Sequence, residues 1–128
     1  MPVEPVHTPN ATPVAGAYSP AVRAGDWLVL AGQVGFDVST GALAGGGTAG
    51  EARQALVNIT TVLRDCGATW RDVAKVTIFL ADLADFPAVN EIYGEFVEKH
   101  RPARTTVQVA ALPIGARIEV EVWAYKPA

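Results

Sequence analysis

Near the end of the chain, hydrophobic and polar residues alternate with a period of two over two stretches. In the first, Val107, Val109 and Ala111 share one face, and Arg104, Thr106, Gln108 and Ala110 share the other. In the second, Ile118, Val120, Val122 and Ala124 oppose Arg117, Glu119, Glu121, Trp123 and Tyr125. A period of two is the mark of a β-strand. Leu112-Pro113-Ile114-Gly115 is a turn-like break between them. The pattern therefore predicts a hairpin pairing Ala111 with Ala116, Gln108 with Glu119, Thr106 with Glu121 and Arg104 with Trp123. That register gathers the apolar residues on one face. Its polar face would carry an arginine, two carboxylates and two large aromatics. Solvation accounts for the charges better than for Trp123 and Tyr125.

Upstream, Tyr18 to Arg23 reads as a short strand, and Ala24-Gly25-Asp26 as a turn. Trp27-Leu28-Val29-Leu30-Ala31 is an unbroken apolar strand, which predicts burial on both faces. Helices can cover one face of a small two-layer domain, and another subunit is the simplest cover for the other. Residues 37–47, with the Gly45-Gly46-Gly47 run, read as a flexible connection. They lack the Gly-Lys-Ser/Thr ending and the Gly-x-Gly-x-x-Gly spacing of phosphate loops.

Thr48-Ala49-Gly50-Glu51 has the form of a capping box. It predicts a helix to about Cys66 with Ala52, Ala55, Leu56, Ile59, Val62, Leu63 and Cys66 as its apolar stripe, stopped by Gly67. Cys66, on that stripe, reads as a core filler. Val73 to Leu80 is the next strand. Asp82 to Phe86 ends it, and Pro87 suits the first turn of a second helix running to about Lys99. The stripe of that helix is Phe86, Val89, Tyr93, Phe96 and Val97, with Asn90 beside it. Gly94 inside it costs about 1 kcal/mol relative to alanine, which predicts close packing there. The order predicts an α+β domain, a mixed sheet with two helices on one face.

The length of 128 residues suits a single domain, with 1–16 as an extended, proline-rich arm. Half the residues are hydrophobic, enough for a core. A net charge of -3 argues against a nucleic-acid binder that works through a basic surface. One cysteine permits no intrachain disulfide, and the default expectation is a cytoplasmic protein. Two distant histidines and that cysteine make no zinc spacing, so no metal site is expected. Residues 1–16 have neither a basic start nor an apolar core, so no signal peptide is expected there. No apolar run approaches the length that spans a bilayer.

Five stretches in order resemble the RidA/YjgF family of reactive-intermediate (imine/enamine) deaminases. They are Gly16-Ala17-Tyr18-Ser19, Ala31-Gly32-Gln33-Val34, residues 85–93 (DFPAVNEIY), residues 101–107 (RPARTTV) and Ile118-Glu119-Val120-Glu121. The resemblance implies a chorismate-mutase-like homotrimer, with sheets inside, helices outside and a cleft at each subunit interface. It implies hydrolysis of small 2-imino acids to 2-keto acids and ammonia, without metal or organic cofactor. Arg104 would clamp the substrate carboxylate, helped by the backbone N–H of Gly32. Glu119 would activate a water also held by the backbone carbonyl of Thr106, and Tyr18 and Asn90 would line the cleft. Ala31 stands where the family usually has serine or threonine, and Thr106 where it often has cysteine. The family also carries an endoribonuclease or translation-inhibitor label, and a non-catalytic, carboxylate-binding or chaperone-like trimer is a third class. A nuclease calls for a basic groove or metal cluster that the sequence lacks. A binding protein would need Arg104 but not Glu119.

Overall fold

The computed structural model describes residues 2–128. Strands β1 (Glu4–Pro5), β2 (Ala21–Ala24) and β3 (Trp27–Leu30) lead to β4 (Gln33–Val34) and a small ribbon, β5 (Phe36–Asp37) with β6 (Ala42–Leu43). Helix α1 (Gly47–Asp65), β7 (Val73–Leu80), α2 (Phe86–Val97), β8 (Ala103–Gln108) and β9 (Ile118–Tyr125) follow. The main sheet runs β1-β2-β3-β9-β7-β8, with β4 also paired to β9. The loop expected over 37–47 thus contains Asp37 of β5 and all of β6. The proline-rich arm contributes an edge strand, with Glu4 opposite Arg23.

Both helices lie on one face, and one core joins them to the sheet. Leu56, Ile59 and Leu63 of α1 and Val89 of α2 are buried with Leu28, Val76, Ile78, Leu80, Ile118, Val120 and Val122. The period-two pattern of β9 is kept residue for residue: Ile118, Val120, Val122 and Ala124 are all fully buried.

The terminal hairpin does not form. Strand β8 pairs in parallel with β7, Arg104 beside Val76 and Thr106 beside Ile78. Strand β9 instead enters the centre of the sheet, antiparallel to β7 on one side and to β3 and β4 on the other. The β7-α2-β8 crossover fixes β8 as a parallel neighbour of β7, and nine residues from Val109 to Arg117 carry the chain past it. The register reverses the expected faces of β8. Arg104 and Thr106 turn toward the helices, and Val107 is exposed on the open face.

The open face holds Trp27, Val29, Phe79, Glu119, Glu121, Trp123 and Tyr125 by the same register. Trp27 packs edge-on against Trp123 and Tyr125, with ring centroids 6.3 and 5.2 Å apart. Trp27, Trp123 and Tyr125 remain 38, 46 and 48% exposed. Within the chain, strand β3 is therefore buried on its helix side only.

Thr48 and Glu51 do not form a capping box. Helix α1 starts two residues earlier than that box would place it, after Gly46 at φ 95°, with no side-chain cap. Thr48 Oγ1 donates to Asp85 Oδ2 at 2.7 Å, tying the two helix starts together. Glu51 is 1% exposed, and its carboxylate accepts from Arg117 N and Nη1, both at 2.8 Å. Arg117→Ala leaves this buried carboxylate without its cation. The residue 117 N–H bond survives, so the expected loss is about 1.5–3 kcal/mol, the worth of a hydrogen bond to a charged group, measured by urea unfolding at fixed protomer concentration.

Two further expectations are corrected. Helix α2 ends at Val97, where Glu98 takes a positive φ, not at Lys99. Gly94 is not a close-packing site: a Cβ there would meet nothing within 4 Å. Cys66 is partly buried against the core, and desolvation pushes its thiol pKa up. No helix among the described residues is long and apolar enough to cross a membrane.

Candidate functional site

Five of the seven residues singled out from the sequence divide between two cavities. The first, about 420 Å³, lies between α2 and the start of β8, and includes Asn90, Tyr93, Gly94, Arg101 and Arg104 in its lining. Because β8 turns Arg104 toward α2, its guanidinium meets residues one helical turn apart. Nη1 donates to Asn90 Oδ1 at 2.7 Å. The guanidinium carbon sits 5.0 Å from the Tyr93 ring centroid and 5.2 Å from that of Phe86. Two aromatic faces and an amide hold the planar group while adding no negative charge. Among the described residues, Arg104 has no carboxylate partner. Glu121 cannot reach it within the chain, because Glu121 projects from the opposite face of the sheet.

The second cavity, about 240 Å³, is lined by Tyr18, Gly32, Glu119, Thr12, Ile114 and neighbouring residues. Strand β4 pairs Val34 with Glu119 and so brings Gly32 under the Glu119 side chain. The approach is close: a Cβ on residue 32 would fall 2.6 Å from Glu119 Oε2. A side chain at residue 32 would displace that carboxylate. Burial, and secondarily the charge of Glu121, push the Glu119 pKa above the ordinary carboxylate value. A half-buried carboxylate with a raised pKa keeps its proton to higher pH than a free glutamate, which suits a group that takes and returns protons.

Arg104 and Glu119 do not meet within the chain. Through β7, Arg104 aligns with Val122, three residues along β9 from Glu119. That places their backbones roughly 10 Å apart along the strands and roughly 10 Å across them, at about 3.3 Å per residue and 4.8 Å per strand. The side chains leave opposite faces. Nor do Thr106 and Ala31 line either cavity. The Thr106 hydroxyl is buried without a hydrogen-bond partner within the chain. The Ala31 N–H donates to the Pro20 carbonyl at 2.9 Å.

Sequence reasoning placed Phe86 and Tyr93 in the core stripe of α2 and missed that they hold Arg104. It also passed over Arg101 as a lining residue. The spacing Phe86, Asn90, Tyr93 is the signal: four and then three residues, one helix face.

A sequence profile of the endoribonuclease L-PSP family matches residues 8–126. The rat protein named 2-iminobutanoate/2-iminopropanoate deaminase is 46% identical over 116 residues, covering 91% of this chain and 85% of its own. Among solved structures, RidA from an Antarctic Psychrobacter is 37% identical with a TM-score of 0.89, covering 95% of this chain and 98% of that one. TdcF of E. coli, solved with bound serine, is 31% identical with a TM-score of 0.89, over 96% of this chain and 98% of that one.

Proposed function

The chain belongs to the endoribonuclease L-PSP (RidA/YjgF) family, and on that premise we propose that it is a deaminase of small 2-imino acids, working as a homotrimer with each site shared by two subunits. One observation carries the reading. The free guanidinium and the perturbed carboxylate occupy separate cavities on opposite faces of one sheet, so a small substrate reaches both only where two chains meet. The deaminase names of relatives at 42–46% identity supply the chemistry, and the serine in TdcF has the carboxylate that such a site must hold.

In this reading Arg104 of one subunit binds the substrate carboxylate by two parallel hydrogen bonds. Asn90, Tyr93 and Phe86 fix the plane of the guanidinium. Glu119 of the adjacent subunit accepts a proton from water as the water oxygen attacks the carbon of the protonated imine. The C=N π pair moves to nitrogen, giving a carbinolamine. Glu119 returns the proton to that nitrogen. The C–N bond then breaks, ammonia leaves, and the hydroxyl loses its proton to become the keto oxygen. A protonated imine is already electrophilic, so the residues need only place the water and carry the proton. Tyr18 and the Gly32 N–H border the same space. Thr106 is assigned only its backbone carbonyl, so the absence of a cysteine thiol there has no effect. Ala31 leaves the cleft wall without a hydroxyl. A cytoplasmic location fits the lone unpaired Cys66.

The test is a coupled assay in which a dehydratase generates the imine in place. Keto-acid release should be faster with this protein than without it, and equal rates would refute the activity. Light scattering at micromolar concentration should give the mass of three chains; a monomer would refute the shared site. The aromatic open face around Trp27, Trp123 and Tyr125 is what the trimer would bury. Gly32→Ala should keep the fold, because the end of the Glu119 side chain can swing aside. Displacing that carboxylate by about 1 Å should lower kcat about 10²-fold. Unchanged kcat would separate the Gly32 contact from catalysis.

A further inference from the structure

We propose that Arg101 is a specificity residue that selects 2-imino acids bearing a second carboxylate. The inference rests on the deaminase reading and deepens it. The cavity beside Arg104 is lined by two guanidinium groups and by no acidic residue. This is unusual in a chain with a net charge of -3. Three cations elsewhere meet carboxylates, Arg53 with Glu95, Arg117 with Glu51 and Lys126 with Asp72, but none of these cations lines a cavity beside a second guanidinium. Among the described residues, Arg101 makes no ion pair and no side-chain hydrogen bond. Arg104 is committed by Asn90 and the two rings to one orientation and to one carboxylate. Arg101 is free to take another.

The space for that second group has its own structural cause. Gly94 lines the same cavity from the middle of α2, where glycine disfavours the helix. Its missing side chain makes no room for a neighbour, since nothing lies within 4 Å of the Cβ position. What the glycine leaves open is the cavity. Pro102 restricts the backbone of Arg101 to extended conformations at the entry to β8, where Arg101 lines the cavity from an exposed position. A substrate with one carboxylate uses Arg104 alone. One with a second carboxylate, such as the imine of an acidic amino acid, engages both.

The experiment compares two imines made in place by amino-acid oxidases, 2-iminosuccinate from aspartate and 2-iminopropanoate from alanine. The readout is the ratio of their kcat/KM values, in wild type and in Arg101→Ala. The ratio should fall about 10–100-fold in the variant, the worth of a charge-assisted hydrogen bond. The same ratio for binding of oxaloacetate over pyruvate, by calorimetry, should fall in parallel. An unchanged ratio, or a wild type that hydrolyses 2-iminopropanoate but not 2-iminosuccinate, overturns the role of Arg101 and leaves the deaminase reading intact. If neither imine is hydrolysed faster than in buffer, the deaminase reading falls. The role of Arg101 is then decided by oxo-acid binding: an Arg101-dependent preference for oxaloacetate upholds it, and no preference overturns it.

Discussion

Arg104→Ala should lose at least about 10²-fold in kcat/KM while the chain still folds and assembles. A hydrogen bond to a charged group is worth about 1.5–3 kcal/mol, and in the proposed mechanism the guanidinium also orients the imine carbon toward the water. Arg104 is half-buried at an edge strand, so its removal leaves no core cavity. Arg104→Lys keeps the charge but cannot reproduce the planar fork or stack between Phe86 and Tyr93. It should recover little of the activity. Steady-state kinetics on the coupled assay, with circular dichroism as a control, checks both variants. Wild-type rates from the lysine variant would show that clamping by two parallel bonds is not the role of Arg104.

Glu119→Gln should cost about 10²–10⁴ in kcat, the usual contribution of a positioned acid-base group. Glu121, two residues along the same face of β9, is the internal control, and Glu121→Gln should change kcat little. Product affinity in Glu119→Gln should hold or rise, because a negative charge near the bound carboxylate is removed. The raised pKa adds a stability effect of definite sign. Between the ordinary glutamate value and the raised folded value, the folded state binds more protons than the unfolded state. Stability therefore falls as pH rises through that window, and the penalty is fully present above it. Glu119→Gln removes it, so the variant should melt higher than wild type at pH 7, with the difference vanishing below the ordinary glutamate range. The acid limb of the wild-type kcat profile should likewise lie above that range. A wild-type rate from Glu119→Gln would eliminate it as the base.

What the sequence reveals and what it hides divide along physical lines. The strict alternation of β9 identified its buried face because one side of that strand meets the core over its whole length. The stripes of α1 and α2 were readable for the same reason. Alternation says which residues share a face, but not which strand lies alongside. For β8 the partner was decided by the crossover through α2, and the polar face turned inward. An edge strand buries too little to enforce its own pattern. Glu51 misled because a capping box and a buried ion pair use the same residue type. Only the return of the chain at Arg117, far along the sequence, separates them. The family resemblance singled out Arg104, Glu119, Gly32, Tyr18 and Asn90, and each lines one of the two cavities. Their division between two cavities was not legible in the sequence, since it depends on the strand order β9-β7-β8.

The shared site can be tested by mixing two inactive chains. Arg104→Ala retains Glu119, and Glu119→Gln retains Arg104. If each site takes Arg104 from one subunit and Glu119 from its neighbour, every mixed ring of three contains one intact site. Co-production of the two variants in equal amounts should then restore about a quarter of wild-type activity by random assembly into a cyclic trimer. Activity no greater than that of either variant alone, from mixed trimers verified by mass, would contradict the account.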